Sequence, residues 1–352
     1  MDFQKNPPIP ADIYSGAYKT GHCQGIAVDL RNGWIYYAFT TMLVKTDLSG
    51  RFLGSAKGLL GHLGCIAFCE ADGCVYGSLE YKNDAIGKGI RNRAGLGEAG
   101  AGPDAFYLVR FDGARIDRAD MDAARDGVMT AMFLREVTDD YLYVSPDGIR
   151  HRYGCSGIDG LTIVPPPGEP DVQPDRLLVA YGVYGDVNRA DNDHQVLLAY
   201  GLADMERYAA PLDPDGMHRS GPEKPLAKYF VHTGNTVYGV QNLEYDRDTG
   251  LIFAAVYAGQ KPAYPNPPMF VIDYHRGASV QPLRGIDPPE TGLLLSLDGH
   301  GYEGLPFPYG STGLASLGGG YFAVSQEGWT EAGDDTHVRL YRYENGEFSQ
   351  VK

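Results

Sequence analysis

Gly21-His22-Cys23-Gln24-Gly25-Ile26 decides the fold, because the same phrase returns four more times along the chain. The later copies are Gly61-His62-Leu63-Gly64-Cys65-Ile66, Tyr153-Gly154-Cys155-Ser156-Gly157-Ile158, Tyr238-Gly239-Val240-Gln241-Asn242-Leu243 and Tyr309-Gly310-Ser311-Thr312-Gly313-Leu314. Each copy leads into a short alternating strand, a turn, a β-rich strand, a variable loop and a further strand. In the first unit these are Ile26 to Asp29, the turn Arg31-Asn32-Gly33, Trp34 to Phe39, and Leu43 to Asp47. The fourth unit gives Leu243 to Tyr245, Asp248-Thr249-Gly250, Leu251 to Tyr257, and Met269 to Tyr274. Asn-Gly and Thr-Gly between alternating apolar runs are hairpin signals, since glycine supplies the positive φ such turns need. A lone meander cannot bury both faces, so repeated meanders pack sheet on sheet, and packing around an axis gives a propeller.

The copies begin at residues 21, 61, 153, 238 and 309, and a chain of 352 residues would hold seven blades of about 40 to 50 residues each. The long intervals are already filled, however. A glycine-rich insertion (Gly87 to Pro103), a third strand at Phe106 to Phe111 and a fourth-strand region ending near Tyr143 occupy one; Leu177 to Tyr184, Val196 to Tyr200 and Lys228 to His232 occupy the next. The expectation is an all-β chain, a β-propeller of five four-stranded blades in a single domain over residues 1–352, with seven blades as the alternative. Val338 to Tyr343 and Phe348 to Val351 should close the ring with Ile13 to Tyr18.

The 47 glycines, 25 tyrosines and 23 prolines suit short strands and tight turns. A net charge of −15 repels a phosphate backbone and argues against nucleic acid as a partner. Met1 to Gly21 carries Pro7, Pro8 and Pro10 and no apolar run, so it reads as neither signal peptide nor membrane span, and a cytoplasmic location is expected. The five cysteines are odd in number and lack paired CxxC spacing, which fits reduced core residues better than disulfides or zinc.

In a radial meander the phrase and the loop between strands two and three lie at one end. His22, His62, Tyr153, Tyr238 and Tyr309 should therefore ring the axis, with Gln24, Ser156, Gln241 and Thr312 below them. The second loop set adds Tyr81-Lys82-Asn83-Asp84, Asp186 to Arg189 running on to Asp193-His194, Gln260-Lys261 with Tyr264, and Gln326-Glu327. Arg150-His151-Arg152, His232 and the stretch from Asp298 through His300 to Glu303 precede three of the phrases. Channel residues such as Gln24, Ser156 and Thr312 are explained by the need to satisfy inner-strand backbone and trapped water. Histidines at one repeat position in consecutive units exceed what packing requires. The Asp186–Asp193 acids read as a solvated loop rather than a calcium site, and Asp117 to Asp126 as a surface turn or short helix. No GxSxG, HExxH, P-loop or dinucleotide fingerprint is present.

The Gly21–Ile26 phrase, with Phe39-Thr40-Thr41 running into Leu43-Val44-Lys45-Thr46-Asp47, resembles bacterial propeller proteins that carry an HxQGI phrase and an FTTxLVKTD-like strand. The stretch Gln241 to Asp246, running on to Ala255-Val256-Tyr257, is similar too. These proteins resemble the lyases and rhamnosidases that remove L-rhamnose from D-glucuronic acid at arabinogalactan chain ends, which are seven-bladed. The resemblance implies an oligosaccharide substrate and makes His22 and His62 acid/base candidates. β-Elimination from a uronate needs a cation on the carboxylate, a base for the C5 proton and an acid for the leaving oxygen. The catalytic candidates are His22, His62, Tyr153, Tyr309, His151 and His232. The substrate-binding candidates are Arg150, Arg152, Arg189, Lys82 and Lys261 as cations, with Tyr81, Gln241, His300 and Glu327. A hydrolase would want two carboxylates at a set separation, and Glu303, Glu327, Asp186 and Asp193 form no convincing pair. Two further readings are a non-catalytic sugar- or protein-binding propeller and a lactonase-like hydrolase with a divalent metal on the axis; no other cofactor is expected.

Overall fold

Asp29 builds the first hairpin: its Oδ1 accepts the Arg31 and Asn32 amides, each at 3.0 Å, and Gly33 at φ 70° closes the turn. Asp246 does the same before Gly250 at φ 71°, accepting the Thr249 amide at 3.2 Å and hydroxyl at 2.7 Å. Such self-capped turns reverse the chain within a few residues and let each unit fold as a local meander.

The computed structural model describes residues 7–93, 102–213 and 216–352. The sequence opens with β1 (Asp12–Tyr18). The first unit is β2 (Cys23–Asp29), β3 (Trp34–Phe39), β4 (Met42–Asp47) and β5 (Phe52–Lys57). The second is β6 (His62–Phe68), β7 (Val75–Tyr81), helix α1 (Ala85–Arg93) and β8 (Ala105–Phe111), then β9 (Met121–Asp122), β10 (Met129–Phe133) and helix α2 (Arg135–Leu142). The third is β11 (Cys155–Val164), β12 (Arg176–Val183), β13 (His194–Gly201), helix α3 (Leu202–Tyr208) and β14 (Ala227–His232). The fourth is β15 (Thr236–Asp246), β16 (Leu251–Ala258), β17 (Met269–Pro282) and β18 (Thr291–Leu297). The last is β19 (Leu314–Gly318), β20 (Tyr321–Thr330), β21 (Gly333–Glu344) and β22 (Glu347–Gln350). About 50% of the chain is strand and 10% helix, so the molecule is predominantly β.

Within each unit consecutive strands pair antiparallel, in the order β2-β3-β4-β5, β6-β7-β8-β10, β11-β12-β13-β14 and β15-β16-β17-β18. The last sheet takes its outer strand from the other end of the sequence, as β1 pairs antiparallel with β21, Ile13 facing Val338. A parallel pairing of β14 with β18 joins the third and fourth units into one sheet.

Apolar layers lie between successive units. One joins units one and two (Tyr36, Leu63, Phe111), another units two and three (Phe106, Tyr181, Val196), and a third units three and four (Leu178, Val240, Phe270). Phe253 and Phe322 join the fourth to the last, and Ile13, Tyr37 and Leu340 join the last to the first. The leading strands touch in the same circular order, β2 with β6, β11, β15 and β19 in turn and β19 again with β2. At their centre Asn242 Nδ2 donates to the Gln24 and Ser311 carbonyls at 2.8 and 2.9 Å, and its Oδ1 accepts from Cys65 Sγ at 3.2 Å.

Two sequence expectations change here. The region expected to continue as a fourth strand to Tyr143 ends at Phe133 and becomes α2, because Val137 and Tyr141 lie on one helical face and pack into the layer between units two and three. Of the Asp117–Asp126 segment, Met121 and Asp122 add a short parallel strand to β5. Residues 94–101 of the glycine-rich insertion lie outside the described residues. All five cysteines are free thiols, and all but Cys74 are buried. Among the described residues no helix is long and apolar enough to cross a membrane.

Candidate functional site

The lead-in phrases do more than start strands, because the pairing slips within them. Register shifts fall at Cys23/Gly25, between Leu63 and Ile66, at Cys155/Gly157 and from Val237 to Asn242. A bulge re-aims side chains that strict alternation would send elsewhere. At this end of the leading strands lies a pit of about 320 Å³ built by four units. The first supplies His22, Gln24 and Thr40; the second His62, Glu80, Lys82 and Arg93; the third Ser156 and Asp159; the fourth Tyr238, Gln241 and Tyr257.

The register that sets His62 opposite Glu80 puts their side chains on one face, with His62 Nδ1 3.6 Å from Glu80 Oε1. Two residues on, Lys82 returns to that face and its ammonium meets Glu80 Oε1 at 2.5 Å. Glu80 Oε2 accepts the Ile158 amide at 3.0 Å, while Lys82 Nζ also donates to the Ser156 carbonyl at 2.8 Å and lies 3.4 Å from Asp84. Burial works to discharge Lys82, but the Glu80 and Asp84 carboxylates outweigh it and hold Lys82 above its ordinary range. Burial raises Glu80, with Lys82 opposing. The pair is the charged floor of the pit.

Around this floor burial opposes the charged forms of His62 and Asp159. Burial first, then the charge of Lys82, hold His62 down at about 3, and its Nδ1 is buried without a hydrogen bond. Asp159 is pushed well above the carboxylate range by burial and then by Glu80, and its Oδ1 has no partner. Burial raises the Tyr257 phenol. His22 Nε2 lies 2.9 Å from Gln24 Nε2, and Gln241 Nε2 donates to the Tyr238 carbonyl at 3.0 Å. Arg93, at the exposed end of α1, has no ion-pair partner among the described residues. The pit thus combines a carboxyl whose charged form burial opposes, two imidazoles and a guanidinium with no ion-pair partner among the described residues.

The sequence expectation of one convergent cluster is corrected. His22, Gln24, His62, Lys82, Ser156, Tyr238 and Gln241 meet in the pit; the other candidates do not line it. Tyr153 is buried, its hydroxyl donating to Glu290 Oε2 at 2.7 Å, and Arg152 pairs with the same carboxylate at 2.9 Å. His151 lies under α2, Nδ1 2.6 Å from the Tyr141 carbonyl, and burial lowers its pKa. Arg189 is held by Asp191 at 2.7 Å and by the Arg150 and His151 carbonyls, so it is scaffold; Arg150 is exposed to solvent. Lys261 bonds the Arg189 carbonyl and pairs with Asp193 at 2.5 Å. Tyr81 packs edge-on against Tyr107. Tyr309 packs on Phe307 and Tyr341, and Thr312 bonds the Ser325 carbonyl. His300 stands over the Gly346 turn, and Glu327 is exposed on β20. His232 lines a separate cavity.

Three pit groups escaped the sequence reading: Glu80, Asp159 and Arg93. A signal for Asp159 lies in the repeat itself, whose next position after the phrase reads Ala27, Ala67, Asp159, Glu244 and Ala315. Two of the five units thus carry an acid where the others carry alanine, and one of these, Asp159, lines the pit. Among the described residues no group of three or more His, Cys, Asp or Glu side chains is placed to hold a metal ion.

No family model matches the chain, and no curated protein matches it. Among solved structures it is similar to the hydrazine synthase of Kuenenia stuttgartiensis at 9% identity and a TM-score of 0.34, over 96% of this chain and 67% of that one.

Proposed function

We propose that the chain is a β-propeller of five four-stranded blades whose pit carries out acid–base cleavage of a uronate-containing glycoside by β-elimination, with an L-rhamnosyl-D-glucuronate chain end as the substrate class. The circular order of sheet contacts and the β1–β21 closure support the fold reading. The observation that carries the chemistry is Asp159, whose carboxyl burial and Glu80 push well above the carboxylate range, in a pit that also holds His22 and an Arg93 without an ion-pair partner among the described residues. An enzyme acid must hold its proton at working pH, and burial beside Glu80 supplies that.

In this reading Arg93 binds the substrate carboxylate and neutralises the charge that spreads onto it as the C5 proton leaves. His22 takes that proton. The C4–O bond breaks, the C4=C5 bond forms, and Asp159 gives its proton to the departing oxygen. His22 then releases its proton to water and Asp159 recovers one, so no oxidant and no net water is consumed. His62, neutral down to about pH 3, is a hydrogen-bonding wall rather than the base.

Glu80 and Asp159 in one pit also favour a second reading, hydrolysis by a carboxyl pair. Incubation with uronate-ended oligosaccharides separates the two. Elimination produces the absorbance of an unsaturated uronate; hydrolysis produces a saturated product that takes oxygen from labelled water. Binding without either product across such a panel would leave a non-catalytic sugar-binding propeller.

A further inference from the structure

A second cavity, of about 540 Å³, lies where the third and fourth units meet and includes Asp193, His232, Tyr264, Arg284, Tyr302 and Glu303 in its lining. The registers that set His194 against His232 and Thr236 against Ala258 place it at the lead-in end of both units.

Its aromatic wall is locked. His232 Nδ1 lies 2.6 Å from the Tyr302 hydroxyl, their rings meeting edge-on at 5.0 Å, and the Tyr264 ring stands 6.0 Å from His232. The Tyr264 hydroxyl donates to Asp193 Oδ2 at 2.9 Å, and Lys261 holds the other oxygen of Asp193. Behind His232, at 4.9 Å, sits His194, 1% exposed, with neither ring nitrogen hydrogen-bonded. Buried polar atoms are seldom left unpaired, so His194 is held there by packing alone and backs the wall. Against it stand Arg284 and Glu303, both exposed and without ion-pair partners among the described residues. A rigid aromatic wall with a few convergent polar groups is the usual make-up of a small-molecule site.

We infer that this cavity is a second saccharide subsite that takes a sugar acid, its carboxylate on Arg284, its hydroxyls on Glu303 and His232 Nε2, and its less polar face against Tyr264 and Tyr302. The preference for a carboxylate follows from the free guanidinium; the choice of a sugar rests on the uronate reading of the pit.

Titrating the full chain with D-glucuronate and with D-glucose, and repeating with Arg284→Gln and Arg93→Gln, tests this. Two glucuronate sites are expected. Arg284→Gln should weaken one by about ten- to a hundredfold, as expected for a lost charged hydrogen-bond pair, and leave the other intact. Arg93→Gln should do the converse, and glucose should bind the Arg284 site as weakly as glucuronate binds the variant. Glucuronate binding unchanged by Arg284→Gln, or equal binding of glucose there, overturns the proposal. If only the Arg284 site binds, the subsite stands and the uronate reading of the pit falls.

Discussion

Asp159 and His62 line one pit, and burial drives both to their uncharged forms. Because burial and Glu80 oppose the charged form of Asp159, Asp159→Asn should leave the unfolding midpoint unchanged while lowering turnover of the uronate substrate by about 10² to 10⁴-fold; a loss of turnover under tenfold would remove Asp159 as the acid. Lys82→Met has the opposite profile, since it strands the Glu80 charge in the interior, and denaturant titration should show a loss of about 3–5 kcal/mol. Stability should also depend on pH at both ends of the range. His62 and His194 sit at about 3 and about 4, below their ordinary 6.5, so the unfolded chain gains protons first and stability falls as pH drops from 6.5 toward 4. Glu244, raised by burial to about 8, keeps its proton in the folded chain while the unfolded chain ionises, so stability falls as pH rises from about 4.5 to 8. Unfolding midpoints across pH should show both slopes, and Glu244→Gln should make the upper one, which Asp159 shares, shallower while leaving the lower one unchanged. The two histidines and Gln241 were legible as repeat positions. The acids were not, because what matters about Glu80 and Asp159 is their burial beside each other across two units.

Between elements, the leading strands approach so closely that side chains are excluded at set points. A Cβ on Gly25 would lie 2.9 Å from the Cys65 Cα and the Ile66 nitrogen, which are backbone atoms and cannot swing aside. Gly25→Ala should therefore cost about 1–3 kcal/mol through strain, read as a lower denaturant midpoint. Asn242 works at the same junction by bonding instead of by yielding space. Asn242→Ala would leave the Gln24 and Ser311 carbonyls unpaired, and a loss of about 2 kcal/mol or more is expected. The turns and leading strands were readable because Asp29 with Gly33 and Asp246 with Gly250 act within a few residues of each other. Helix α2 was not, since its short amphipathic stretch becomes a helix through the packing of Val137 and Tyr141 on the third unit.

At the scale of the whole molecule, β1 completes the last sheet from the far end of the sequence and buries Ile13 at that seam. Removing residues through Tyr18 would expose the edge of β21 and forfeit about 1.5–3 kcal/mol for each buried isoleucine of the segment, Ile9 and Ile13. A clearly lower thermal midpoint is expected, and an unchanged one would deny β1 a closing role. The closing segments were legible in sequence because the alternating stretches Val338 to Tyr343 and Ile13 to Tyr18 stand at opposite ends of the repeat. What the sequence determined by itself is the set of lead-in phrases, the turns and the predominantly β character, all governed by neighbours along the chain. Only the tertiary structure decided which polar side chains are free to act. Arg152 is neutralised by Glu290, Lys261 by Asp193, and Lys82 is sunk against Glu80, whereas Arg93 and Arg284 keep their charge unpaired among the described residues. A cation's availability depends on the carboxylate that packing brings to it, and those partners stand as far as 138 residues away.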